Sequence, residues 1–313
     1  MRQNSRRPRF RRVPTSSFRL TDRDLEIIQH VERHRLLNSD QIVALLGAGS
    51  PQHVRRRLTL LFHNRYLDRP PVQISDFYRT AGSLPMVYGL GNRGADVLAE
   101  RLDQPRKPGD WAEKNRSLRS TYFHHTLMVA SIMVAFEVGC RKHDSVRLTR
   151  WEEILEGTCP EETRRSKRPL TWKVRLPEIG WLGVTPDRVF GLEFSDRPVS
   201  RRHSYFFLEA NRASMPVFRK DLRGTSIFRK LLAYQATAAQ KLHAERFGIN
   251  NFRVLTVTRS PKLERVDSMV EAARKLSGPQ GVFLFADEAA VTGGDPLEIS
   301  WKNGRGESVR LLD

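Results

Sequence analysis

The sequence is poor in cysteine. Cys140 and Cys159 are the only two in 313 residues, and they lack paired metal-type spacing. A disulfide framework and a zinc knuckle are therefore excluded, and the usage fits a reducing cytoplasm. The nine histidines are scattered without metal-ligand spacing. "LGAGS" has two glycines but no Walker lysine, so no nucleotide loop is indicated. Long apolar runs are missing as well. The longest, Thr126 to Phe136, is too short to span a bilayer and reads as a buried helix, so no membrane partner is expected. The N-terminal "MRQNSRRPRFRR" looks like a twin-arginine export signal, but "VPTSSF" follows it instead of an apolar region. Export is not expected. No heptad pattern specifies an oligomer, which leaves a homodimer open.

Lysine is absent from the first 69 residues, which hold 15 arginines against 6 acids, a net of +9. The whole chain carries +19. Such a charge speaks of partners more than of fold, and double-stranded DNA is the partner it suits best. Arginine in particular offers a planar fork that binds phosphate or a guanine edge at two points. An apolar content of 39% supports real cores, and the length is enough for two domains.

Residues 1–18, with Pro8, Pro14 and six arginines in the first twelve positions, read as a flexible basic arm whose Arg6, Arg7 and Arg9 contact phosphates. From Leu20, three short helices are expected. Thr21 or Asp22 caps the first, Ser39 the second, with Gly47 as its stop, and Ser50 the third, with Pro51 at its first position. In the third helix Val54, Leu58, Leu61 and Phe62 form an inner face. Gln52, His53, Arg55, Arg56 and Arg57 lie largely outside it. "FYRTAGSLPMVYGL" reads as a two-stranded ribbon around Arg79, and "GNRGADVLAERL" as a fourth helix. This order predicts a winged helix-turn-helix over 19–102, with the third helix as the recognition element. The polar stretch 103–118, with two prolines, reads as a linker.

The remainder, 119–313, alternates as helix, several strands, helix, strand, helix, strand, an α/β or α+β domain with a mixed central sheet. "SIFRKLLAYQATAAQKLHAERFG" reads as one long amphipathic helix, and "GVFLFA" as the last strand. Two acids stand at strand ends, Asp187 in "TPDRVFGL" and Glu209 in "FFLEAN". They suit either strand capping and ion pairing or a magnesium site, with the Ala210 carbonyl as a third oxygen. The cation would lower the pKa of a bound water and neutralise charge on an attacked phosphate. A cation at position 211 would orient that water.

"TPDRVFGL … FFLEAN" followed by "FRKLLAYQ" resembles the P-D … (D/E)-x-K pattern of restriction-endonuclease-like nucleases. Joined to "LTDRDLEIIQHVERHRLLNSDQIVALL" and "HHTLMVASIMVAF", it resembles the replication-relaxation family of plasmids and other mobile elements, from about Leu20 to Phe285. The resemblance implies DNA binding in replication or mobilisation, with Asp187 and Glu209 as metal-binding acids and Glu137 as an accessory acid. It also implies, as alternatives, a magnesium-dependent nicking endonuclease of relaxase type, a transcription regulator, or an adaptor that recruits replication or transfer proteins. One position departs from the pattern: Asn211 stands where the lysine belongs and carries no charge. Lys230, one turn before Tyr234 on the following helix, is the candidate replacement, ahead of Lys220 and Arg212.

Overall fold

The computed structural model describes residues 7–13, 18–47, 49–79, 84–103, 105–260 and 264–313. Arg6 lies outside them, and so do the side chains of Arg7 and Arg79. The chain divides into two compact units, Met1–Val134 and Ala135–Asp313.

The first unit opens with α1 (Asp22–His34), β1 (Leu36–Asn38), α2 (Ser39–Leu46) and α3 (Pro51–His63). It continues with β2 (Leu67–Asp68), α4 (Ile74–Arg79), β3 (Val87–Leu90), α5 (Asn92–Leu102) and α6 (Trp111–Arg116). Thr21 caps α1 in a reciprocal capping box with Asp24. The cap of α2 is Asn38 rather than Ser39: its Oδ1 accepts from the backbone of Asp40 and Gln41, while Gln41 returns a bond to Asn38 N. Val54, Leu58, Leu61 and Phe62 are buried, as their helical spacing requires.

Three short strands form an antiparallel sheet in the order β1-β3-β2. The expected ribbon over 77–90 is corrected. Residues 77–79 belong to helix α4, and β3 pairs with β1 and β2. Gly94 lets α5 pack directly on the turn after α3, since a Cβ there would sit 2.2 Å from the Tyr66 carbonyl oxygen. The stretch expected as a linker carries α6, with Trp111 and Asn115 buried; Asn115 Nδ2 donates to Leu90 O at 2.9 Å and its Oδ1 accepts from Arg35.

Part of the expected flexible arm is docked. Arg12 stacks 4.4 Å above the Phe62 ring and donates to Asp68 at 2.9 Å. Val13 N donates to His63 Nδ1, and the Arg9 carbonyl accepts from Arg69. Arg69 covers Phe62 at 4.3 Å and donates to Thr59 and Tyr88, so two guanidiniums pack against one ring.

Helix α7 (Ser120–Cys140) runs across the boundary between the units and is longer than its apolar core suggested. By length and composition it could cross a bilayer, yet 67% of its most apolar window is buried.

The second unit continues with β4 (Val146–Thr149), α8 (Trp151–Gly157), α9 (Glu161–Arg165), β5 (Trp172–Leu176) and β6 (Gly180–Val184). Then come β7 (Arg188–Phe194), β8 (His203–Asn211), α10 (Ile227–Ala239), α11 (Leu242–Phe247), β9 (Arg253–Thr258) and α12 (Glu264–Arg274). It closes with β10 (Phe283–Asp287), α13 (Glu288–Gly293), β11 (Trp301–Asn303) and β12 (Ser308–Val309). The fold is α+β, built on a mixed seven-stranded sheet of order β12-β11-β10-β9-β8-β7-β4. The β8–β9 and β9–β10 pairs are parallel, joined by helical crossovers, and the other pairs are antiparallel. The long helix expected after Ser226 is broken at Lys241, whose φ of 54° is left-handed, so α10 and α11 are separate. "GVFLFA" is followed by two more antiparallel strands and is not the last.

Strand alternation divides the core. Val189 and Phe207 join α10, α12 and the β5–β6 hairpin on one face. Phe190 and Phe206 stack on the other, where Phe136 of α7 meets Phe190 at 4.8 Å.

Asp24 is the electrostatic pin of the first unit. It is 1% exposed, accepts from Arg57 Nε at 3.0 Å and closes the α1 capping box. Asp24→Ala is expected to destabilise this unit by about 3 kcal/mol, because it strips a buried partner and a cap together. A lowered urea midpoint with unchanged slope is the signature; an unaltered midpoint would contradict it.

Candidate functional site

In the second unit, register brings the two acids together. The β7–β8 pairing ends at Arg188 opposite Leu208, so Asp187 leaves its strand beside Glu209. Asp187 N donates to Leu208 O at 2.9 Å, and Asp187 Oδ2 accepts from Ala210 N at 2.8 Å. That N–H faces the β7 side, where the ladder has just ended. Glu209 shares a sheet face with Phe207 and points toward α10. Lys230 Nζ donates to Glu209 Oε2, and Tyr234 Oη donates to Oε1 at 2.5 Å. Lys230 and Tyr234 are one helical turn apart and both face the sheet, as their spacing predicts. Ser226 caps α10 by accepting from Arg229 N, which sets where that turn begins.

Burial dominates the electrostatics. Glu209 is 5% exposed, and desolvation pushes its carboxyl above the ordinary range; Lys230 opposes this shift and the nearby charge of Asp187 adds to it. Burial disfavours the Lys230 ammonium too, but Glu209 and Asp187 outweigh it and the lysine is held above its usual value. Tyr234, 1% exposed, is raised well above a free phenol by burial and then by Glu209. It stays a neutral donor. The cluster is a carboxylate pair short of positive charge, with one ammonium supplying part of it.

Asn211 takes no direct part in that pair. Its Oδ1 accepts from Ala213 N at 2.7 Å and from Arg265 Nη2 at 3.1 Å. Arg265 of α12 also donates to Met215 O and Thr258 Oγ1, fixing the chain where it leaves β8. Nothing in the spacing of Arg265, more than fifty residues from Asn211, pointed to this contact. Lys220 is exposed on the loop before α10. Glu137, expected as an accessory acid, follows Phe136 on α7, is 6% exposed and accepts from Arg150 Nη2 at 3.5 Å. Of the alternatives for the acids, capping and ion pairing both occur, Asp187 capping the Ala210 N–H and Glu209 pairing with Lys230.

In the first unit, Gln52, His53, Arg55 and Arg56 are exposed along α3. Arg55 donates to Asp40 at 2.9 Å, with both side chains about half exposed. Such a pair is weak and easily exchanged. Arg57 is different. It is bound to Asp24 and to the Arg19 carbonyl, and it lies over the Phe18 ring. The Asp24 bond, opposed by partial burial, holds its pKa above the usual arginine value. The fork of Arg57, expected to contact DNA, is engaged inside the unit by Asp24 and the Arg19 carbonyl. A cleft of about 620 Å³ beside α3 is lined by Arg9, Asp40, Arg55, His63 and Tyr88 among others.

The chain is thus a two-unit α+β protein whose second unit gathers two acids, a lysine and a tyrosine at strand ends of a mixed sheet. It belongs to the replication-relaxation family, which matches residues 28–252. Membership points to the replication or mobilisation of plasmids or other mobile elements. No curated protein and no solved structure matches the chain.

Removing Lys230 tests the charge balance. Lys230→Met leaves Glu209 buried without its ammonium, which raises the folded-state pKa of Glu209 further. A raised carboxyl pKa favours the fold below the unfolded value and costs stability as pH rises through the folded value. The variant is expected to match wild type near about pH 4 and to fall about 2 kcal/mol behind it by about pH 8, given the partial exposure of Lys230. Urea unfolding at the two pH values reads this difference, and a pH-independent deficit would refute the assignment.

Proposed function

We propose that the chain binds double-stranded DNA in the replication or mobilisation of a plasmid or other mobile element. In this reading the first unit is a winged helix-turn-helix. Helices α2 and α3 form the helix-turn-helix, and the small antiparallel sheet forms the base of the wing. The observation that carries it is the outer face of α3, where Gln52, His53, Arg55 and Arg56 stand exposed over an apolar inner face. A helix of this size fits a major groove about 12 Å wide. Arg55 exchanges its weak pair with Asp40 for phosphate or a guanine edge, while Gln52 suits an adenine edge. Arg9, with Arg6, Arg7 and Arg79, adds phosphate contacts that position the duplex without reading sequence.

A second reading rests on the Asp187–Glu209–Lys230 cluster: the second unit is a nuclease-like domain of the PD-(D/E)xK kind that nicks DNA. The residues fit a hard cation, since Glu209 is buried, its carboxyl is raised first by desolvation, and the neighbouring Asp187 charge adds to that shift. Magnesium held by Asp187, Glu209 and the Ala210 carbonyl would supply an acidified water and neutralise phosphate charge. Lys230 brings to Glu209 the ammonium that Asn211 cannot supply. Its side chain is 36% exposed, which leaves it able to meet a phosphate oxygen. Tyr234 holds Glu209 in one orientation. The loop before α10, with Arg219, Lys220 and Arg223, supplies phosphate contacts at the rim.

Duplexes selected by the wild-type protein from a random pool provide the binding test. On the selected site, Gln52→Ala and Arg56→Ala are each expected to cost about 1–3 kcal/mol, and Gln52→Ala to relax sequence preference. Unchanged affinity and selectivity in both would remove the docking of α3. For the second reading, wild type with magnesium is expected to nick supercoiled plasmid carrying that site. Asp187→Ala, Glu209→Ala and Lys230→Met should abolish nicking and keep duplex affinity. A wild-type protein that binds but never nicks would leave a DNA-binding scaffold.

A further inference from the structure

The β5–β6 hairpin carries an exposed surface that neither the sheet nor the acid cluster uses. Its inner side, Trp172, Val174 and Leu176, packs into the core over α10, where Trp172 Nε1 donates to Thr237 Oγ1 at 2.9 Å. Gln240 clamps it from the end of α10 by donating to the Arg175 carbonyl at 2.8 Å. The outer side is set by register. Arg175 lies opposite Trp181, and Lys173 lies opposite Gly183. Trp181 is 68% exposed, unusual for the largest apolar side chain, while Lys173, Arg175 and Gly183 are exposed beside it. A Cβ at Gly183 would meet nothing within 4 Å, so the strand next to the indole is bare backbone open to close approach. Glu178, in the turn, is the one acid between Leu170 and Thr185.

We propose that this face is a binding site for single-stranded DNA. An open indole stacks on an unpaired base, the bare backbone at Gly183 admits its flat edge, and Arg175 and Lys173 hold the flanking phosphates. Duplex DNA cannot use the indole in this way, because its bases are already stacked on one another. The placement suits the proposed function, on which this inference rests in part. Chain continues from Trp181 through Pro186 to Asp187, about 20 Å if extended, so a strand held on the hairpin passes within a few nucleotides of the acid pair. Strand opening or nicking there would produce the unpaired bases that the site takes.

The test uses the full chain and a fluorescein-labelled oligo(dT), beside a duplex selected by the wild-type protein. Trp181→Ala is expected to weaken oligo(dT) binding by about fivefold to a hundredfold and to leave duplex affinity and thermal stability unchanged. Trp181→Phe keeps an aromatic face and should retain affinity within about twofold, but it should remove the quenching of tryptophan emission by oligo(dT). The Lys173→Ala/Arg175→Ala pair should flatten the salt dependence for oligo(dT) by about 1.4 in logarithmic slope. Equal oligo(dT) affinity for wild type and Trp181→Ala would overturn the proposal, and so would a parallel loss of duplex affinity. An Arg55→Ala/Arg56→Ala protein separates the two readings: losing duplex while keeping oligo(dT) leaves the hairpin site standing on its own.

Discussion

A carboxylate buried near the end of a central strand is the constraint around which the second unit is arranged. Glu209 lies on β8, flanked by β7 and β9, where water cannot solvate its charge. The cost of such burial amounts to several kcal/mol unless charge and hydrogen bonds compensate it. Both oxygens are therefore met, one by Lys230 and one by Tyr234. Satisfying them fixes the rotation of α10 about its axis, because only residues one turn apart reach the same carboxylate. The rotation of α10 then decides which residues meet the hairpin and the sheet, Tyr234 and Thr237 both contacting Trp172. Asp187 and Arg265 complete the arrangement at either side of the strand end, one capping Ala210 and the other holding Asn211.

The first unit follows the same physics with the signs exchanged. Its surplus is arginine, and several arginines are consumed internally. Arg57 compensates buried Asp24, while Arg12 and Arg69 pack on Phe62 and bond to neighbouring oxygens. Burial lowers the Arg12 pKa, although the group remains charged beside Asp68. The formal charge of the N-terminal segment thus overstates the charge it can offer a partner. What remains outward includes Arg55 and Arg56 on α3, beside Gln52 and His53, together with Arg9, Arg11, Arg19 and Arg65.

Much of this was legible in advance where the signal was local. Helix periodicity identified the inner face of α3, and Gly47 and Pro51 marked real boundaries. Asp187 and Glu209 stood out because acids at strand ends are unusual in apolar runs, and Lys230 and Tyr234 because they share a helix face. Errors came where local pattern was ambiguous or overridden. The residues before Arg79 read as strand, yet they form a helix, and β3 finds its partners in β1 and β2. Asn38 outcompeted Ser39 as a cap because its amide oxygen reaches two backbone donors. Within the stretch 103–118, Trp111 and Asn115 are buried, which its prolines and polar composition did not signal.

By itself, the sequence determined the kind of chemistry present: an arginine-dominated N-terminal segment, two acids at strand ends, and a lysine spaced to share a helix face with a tyrosine. These are properties of composition and of short-range period, which the backbone of a helix or strand imposes residue by residue. Only the tertiary structure decided which of those groups meet. Strand register set Asp187 beside Glu209, helix packing aimed Lys230 at the same carboxylate, and Glu137 of α7 met Arg150 instead. Distances of this sort depend on how whole elements cross and pair, and no local repeat encodes them.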